Sequence, residues 1–131
     1  IARYLHEEIG KMKPFVNYGK EVVNPLFIWM MCKHYAKTAK WTLFDLQDKL
    51  KQNGWMVPAY TMPKNIEDWV VMRIVVRQGF SRDMAEMLLG DIRNAINELE
   101  KLEYPTPSRI ALERKEKVKG SIFTHTGGKR H

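Results

Sequence analysis

Two side chains in this chain are placed to do chemistry: an arginine inside an apolar run, and a histidine close to the C-terminal end. Arg73 stands in Trp69-Val70-Val71-Met72-Arg73-Ile74-Val75-Val76-Arg77. The alternation puts Val70, Met72, Ile74 and Val76 on one face of a strand and Val71, Arg73, Val75 and Arg77 on the other. A guanidinium on the non-core face of a strand is presented rigidly, because the ladder fixes the backbone on either side of it. Its planar fork can hold a carboxylate through two parallel hydrogen bonds. The plain alternative is a solvated strand arginine, since most arginines lie at the surface. For Arg77 the plain alternative is an ion pair with Glu67 or Asp68. His125 sits in Phe123-Thr124-His125-Thr126, where an apolar anchor adjoins a titratable ring. Such a segment can dock reversibly near neutral pH; the alternative is a passive terminus.

Other chemistries find no support in the residue pattern. No serine, cysteine or lysine nucleophile stands in a recognisable catalytic setting. No glycine-rich phosphate loop precedes a helix. His6, His34 and His131 lack metal-ligand spacing to one another or to Cys32, so no metal site is assigned. The single cysteine excludes an internal disulfide and fits a reducing cytoplasm. The eight methionines are scattered, as core filling requires. The longest apolar run, Pro25 to Cys32, is too short to span a bilayer. No signal peptide is visible, and a chain opening on Ile1 reads as trimmed from a longer one.

The elements that must position Arg73 follow from periodicity. Ile1, Leu5, Ile9 and Met12 recur at helical spacing, ending at Pro14. Pro25 to Cys32 reads as a strand buried on both faces, and Lys33 to Lys40 as a polar loop. Thr42 with Asp45 resembles a capping box for a helix carrying Leu43, Leu46, Gln47 and Leu50, with Gly54 as its stop. Trp55 to Tyr60 reads as a short strand, at an edge because Pro58 cannot donate to a ladder. After Gly79, Ser81 can cap a long helix whose apolar stripe is Met84, Met87, Leu88, Ile92, Ala95, Ile96, Leu99 and Leu102. Pro105 and Pro107 end it. The resulting order predicts an α+β fold: a small, mostly antiparallel sheet with helices on one face, leaving the face of Arg73 free.

The charge divides unevenly. The chain carries +7; residues 105–131 hold seven Lys/Arg and two Asp/Glu, and residues 1–104 hold fifteen and thirteen. The expected organisation is an α+β domain over residues 1–104 and a basic tail over residues 105–131. A nucleic-acid surface would more naturally lie on the folded part.

Several of these segments together resemble the C-terminal small domain of pyridoxal-phosphate-dependent glutamate decarboxylases, the group II decarboxylase family. Trp41-Thr42-Leu43-Phe44-Asp45-Leu46 is similar to the family's aromatic-Thr-Leu-aromatic-Asp-Leu helix start. Gly54-Trp55-Met56-Val57-Pro58-Ala59-Tyr60 is similar to its Gly-Trp-x-Val-Pro-Ala-aromatic strand. Val70-Val71-Met72-Arg73-Ile74 followed by Arg77-Gln78-Gly79-Phe80 is similar to its Val-Val-Met-Arg-Ile strand and turn. Phe123-Thr124-His125-Thr126 resembles the Phe-x-His-Thr terminus of bacterial members, although this chain continues with Gly127-Gly128-Lys129-Arg130-His131.

The resemblance implies a fold-type-I enzyme that converts L-glutamate to 4-aminobutyrate and carbon dioxide in the cytoplasm. It implies that Arg73 holds the substrate α-carboxylate, so that the bond to be broken stands perpendicular to the cofactor ring. It implies that His125 belongs to a tail that closes over the site as pH rises toward neutral. The cofactor lysine and phosphate ligands would lie in a large domain of the same polypeptide, preceding Ile1, in a dimeric or hexameric parent. The fragment alone is expected to bind no cofactor and to be inactive. No nucleic acid or membrane partner is implied. The competing class is a free-standing α+β module gripping RNA or an acidic partner through its sheet and tail. Against it, the exposed face of the clearest strand shows no aromatic residue.

Overall fold

The computed structural model describes residues 1–23, 26–61 and 70–114. Eight elements follow in chain order: α1 (Ala2–Gly10), β1 (Phe15–Val23), β2 (Leu26–Met31), α2 (Lys33–Thr38), α3 (Leu43–Gln52), β3 (Ala59–Thr61), β4 (Val70–Val75) and α4 (Arg82–Glu100). The strands form one sheet in the order β1-β2-β4-β3, with antiparallel pairing at each ladder. The α+β architecture with helices on one sheet face is therefore the one the periodicity predicts.

Two elements, β1 and α2, have no counterpart in the sequence reading. Residues 15–23 form β1, where no strand is expected, because Asn17, Gly19, Lys20 and Glu21 interrupt the apolar alternation. Residues 33–38 form α2 rather than a loop. Its N-cap, Cys32, makes no side-chain capping bond. Its last turn is held instead by Arg109, whose Nη1 donates to Ala36 O at 2.6 Å and Nη2 to Lys37 O at 3.0 Å. β2 also differs: Trp29 and Met31 are buried, but Ile28 and Met30, on the opposite face, are only partly covered.

The helix boundaries have visible causes. Asp45 accepts from the Thr42 backbone N–H at 2.8 Å, completing the capping box of α3. At the other end Gly54 adopts φ +89°. There Gly54 N–H donates to Lys51 O at 3.0 Å and Trp55 N–H to Leu50 O at 2.9 Å. That pair of bonds is the Schellman arrangement, and its left-handed residue favours glycine. Ser81 accepts from Met84 N–H at 3.1 Å and starts α4. The buried stripe of α4 is Ala85, Leu88, Leu89, Ile92, Ala95, Ile96 and Leu99. Met84, Met87 and Leu102, assigned to that stripe from the sequence, are exposed instead.

The core lies between the sheet and α1, α3 and α4. It contains Leu5 and Ile9 of α1, Phe15, Trp29, Met31, Met72 and Ile74 of the sheet, and Leu43, Leu46 and Leu50 of α3. Asn17 is the polar exception on this face. Its Nδ2 donates to His6 O at 3.0 Å. Gly10 permits that approach, since a Cβ there would collide with the Asn17 amide. Two indoles tie α3 to α4: Trp41 donates to Glu100 at 2.9 Å and Trp55 to Asp91 at 2.7 Å.

The beginning of the expected tail runs along the domain. Residues 107–114 are helical. Thr106 donates to Asp45 at 2.6 Å, and Thr42 and Ser108 share a hydroxyl hydrogen bond of 2.6 Å. One carboxylate, Asp45, thus serves both the start of α3 and the segment leading into the last described helix. Arg109 is buried here.

Candidate functional site

The sheet face turned away from the helices is assembled from four strands by register. Arg73 on β4 lies opposite Ile28 on β2, Val71 opposite Met30, and Val75 opposite Leu26. Val16 on β1 lies opposite Met30, and Tyr60 on β3 opposite Val71. Cross-strand partners share a face. The described face therefore carries Val16, Ile28, Met30, Tyr60, Val71, Arg73 and Val75. It is an apolar surface with one cation near its middle, on a strand flanked by neighbours on both sides.

Arg73 is exposed, as the alternation predicts. Its guanidinium carbon stands 5.8 Å from the centroid of the Tyr60 ring. Among the described residues it has no carboxylate partner. Other arginines of the molecule do: Arg82 lies 3.7 Å from Glu86, Arg93 3.7 Å from Glu8, and Arg109 3.1 Å from Glu113. The Arg73 guanidinium thus lies beside an aromatic ring, and among the described residues its side chain makes no hydrogen bond or ion pair. Backbone contacts fix both sides of the contact. Arg73 N–H donates to Pro58 O at 3.1 Å, and Ala59 N–H donates to the Gln47 side-chain oxygen at 2.6 Å.

Val71 is fully buried although it belongs to this face; its cross-strand neighbours are Met30 and Tyr60. Val75, one repeat beyond Arg73, is half exposed. Arg77 is exposed just past the end of β4. Its expected partners Glu67 and Asp68 lie outside the described residues, as does His125.

The element that sequence reasoning misplaced is the aromatic one. β3 spans only Ala59–Thr61, not Trp55 to Tyr60, and it is the edge strand that Pro58 foretells. Tyr60 belongs to the Arg73 face only through the β3–β4 register, which alternation within one strand cannot reveal. Arg109 left a fainter signal. Thr106-Pro107 is a helix-start pair, and Arg109 with Glu113 has the four-residue spacing of a helical ion pair.

A cleft of about 340 Å³ elsewhere on the molecule is lined by Lys13, His34, Tyr35, Thr38, Lys40 and Glu100, among others. Burial first, and a hydrogen bond from its hydroxyl to Glu100 second, push the Tyr35 phenol above its ordinary range. The cleft lies apart from Arg73 and shares no residue with the free sheet face. Among the described residues no helix is long and apolar enough to cross a membrane.

No family model matches the chain. Similar proteins are found among curated sequences and solved structures. A glutamate decarboxylase of Solanum lycopersicum is 34% identical over 118 residues, covering 90% of this chain and 23% of that protein. Glutamate decarboxylase beta of Listeria innocua is 47% identical over 99 residues, covering 76% of this chain and 21% of that protein. The solved structure of a Lactobacillus brevis glutamate decarboxylase superposes with a TM-score of 0.70 at 36% identity, over 78% of this chain and 23% of that one. The chain spans between a fifth and a quarter of the length of these relatives.

Proposed function

We propose, from the premise that this chain is a C-terminal domain of the glutamate decarboxylase family, that its Arg73 binds the α-carboxylate of L-glutamate within a longer parent enzyme. The observation that carries the reading is the exposed guanidinium in the middle of the free sheet face, with no carboxylate of its own among the described residues. A substrate carboxylate would form with Arg73 the charge-assisted pair that no described residue supplies. Two parallel hydrogen bonds would also fix rotation about the bond between Cα and the carboxylate, which is the bond a decarboxylase breaks.

Pyridoxal phosphate would supply the electron sink for that bond cleavage. The residues named on this face, Val16, Ile28, Met30, Tyr60, Val71, Arg73 and Val75, do not fit it: none is a lysine that could bind its aldehyde. Its lysine and phosphate ligands are assigned to the remainder of the parent. What this chain supplies is the carboxylate grip and the apolar surround. Val71, Val75, Ile28 and Met30 lower the local polarity, so the ion pair is stronger than it would be in water.

The test is Arg73→Lys in the full-length parent. An ammonium cannot reproduce a planar fork, so kcat/KM for glutamate should fall by about two orders of magnitude, on the order of 2–3 kcal/mol. Unchanged kinetics would remove Arg73 from the site. The resemblance also supports a gating role for His125, with closure as the imidazole loses its proton. A parent truncated before Phe123 should then stay active to higher pH, and an unmoved pH profile would make the terminus passive. A homo-oligomeric parent and a cytoplasmic location rest on the resemblance alone.

A further inference from the structure

We infer that Tyr60 is a positioning residue for the Arg73 guanidinium, setting its fork for the substrate carboxylate. This deepens the carboxylate reading and rests on it. Tyr60 lies opposite Val71 in the β3–β4 ladder, so Arg73, two residues along β4, is its diagonal neighbour. Aromatic and long side chains meet across such diagonals. The separation of 5.8 Å between guanidinium carbon and ring centroid lies within cation–π range.

The kind of contact matters. A carboxylate neighbour would occupy the N–H edge of the guanidinium and compete with substrate. A ring attracts the cation without accepting its N–H donors in ordinary hydrogen bonds, so those donors are not taken by this contact. It also removes side-chain conformations in which the long arginine would point elsewhere, so less freedom is lost when the ligand arrives.

The ring in turn is held from behind. β3 is an edge strand of three residues, Ala59–Thr61, too short to be rigid by its ladder alone. Two bonds at its start compensate. Gln47, on α3, accepts from Ala59 N–H at 2.6 Å, and Pro58 O accepts from the backbone N–H of Arg73 itself at 3.1 Å. The backbone that carries the ring is therefore tied both to a core helix and to the residue the ring positions.

The experiment compares Tyr60→Leu, Tyr60→Phe and Arg73→Lys in the full-length parent. It measures KM and kcat for glutamate and the inhibition constant of 4-aminobutyrate, which lacks the α-carboxylate. Tyr60→Leu should raise KM for glutamate about 5-fold, which corresponds to about 1 kcal/mol, with a smaller change in kcat. Tyr60→Phe, which keeps the ring, should stay within about 2-fold. The inhibition constant of 4-aminobutyrate should be unchanged in both. If Tyr60→Leu weakens glutamate and 4-aminobutyrate alike, or Tyr60→Phe fails to restore KM, the ring is structural and the inference is overturned. If Arg73→Lys weakens glutamate while Tyr60→Leu does not, the positioning role alone falls. If Arg73→Lys leaves glutamate untouched, the carboxylate reading falls and takes this inference with it.

Discussion

The two faces of the sheet use much the same apolar alphabet and are treated oppositely by the fold. On the helix-covered face Phe15, Trp29, Met31, Met72 and Ile74 are all buried, Trp29 completely. On the other face Val16 is 42% exposed and Val75 50%. Ile28 and Trp29 are consecutive residues of β2, yet one helps to form the core and the other helps to form a surface. Alternation decides which side a residue faces; the helices decide which side counts toward stability. Arg73 is the charged side chain of β4 on the outer face. Among the described residues its guanidinium has no carboxylate partner, whereas Arg109 is matched by Glu113. The residues that hold the fold and the residue proposed to bind substrate thus lie on opposite faces of one sheet.

The sharpest way to break that separation is at Trp29. Its ring lies edge-on to Phe15, with centroids 6.1 Å apart, and it is surrounded by core on the helix side. Trp29→Ala should cost about 3–5 kcal/mol, read as a fall in the urea midpoint of this chain. A loss below about 1 kcal/mol would mean that the inner face is not what holds the fold.

The next largest effect contrasts the two arginines. Each of the three Arg109 nitrogens donates once, to Glu113, Ala36 O and Lys37 O. Arg109→Ala should destabilise by about 2 kcal/mol, because a buried side chain and three charge-assisted hydrogen bonds are lost together. Arg73→Ala should change folding stability by no more than about 0.5 kcal/mol, since the side chain is exposed and makes no ion pair among the described residues. A measurement with the two values reversed would place the structural arginine on the wrong side of the sheet. Ile28→Ala should fall between these, at about 1 kcal/mol, as expected for a half-covered side chain. A cost equal to that of Trp29→Ala would erase the distinction between the faces.

How much of this was legible in the sequence follows the same division. Strong periodicity revealed β4 and α4, and local capping chemistry revealed α3, because each signal lies within a few adjacent residues. The exposed placement of Arg73 was legible for that reason too. β1 was not, since Asn17 faces inward for a reason three-dimensional in origin: its amide reaches His6 O across the cleft that Gly10 leaves. Nor was α2, whose last carbonyls are satisfied by an arginine more than seventy residues along the chain. Tyr60 escaped because sharing a face with Arg73 depends on register between strands, and a three-residue edge strand carries almost no pattern. What the sequence withheld was partnership at a distance, which is also what builds the candidate site.

The smallest expected effect lies on the helical side, at the tie between α3 and α4. Lys49 Nζ donates to Glu98 at 2.8 Å. That hydrogen bond first, and the lysine charge second, hold the Glu98 carboxyl below its ordinary value. A carboxyl whose folded value is depressed contributes stability that is fully present above its unfolded value. The contribution is lost as pH falls through the folded value. Wild type should therefore exceed Lys49→Met in stability at neutral pH, and the gap should close as the solution is acidified past the folded value. Both side chains are accessible to solvent, so the gap should also shrink in roughly 1 M salt. A gap that persists unchanged from neutral to acid pH would assign the lysine's contribution to its aliphatic stem packing between the helices. In that case the Lys49 charge would do no structural work between α3 and α4, and the contrast with Arg73, which has no carboxylate partner among the described residues, would rest on burial alone.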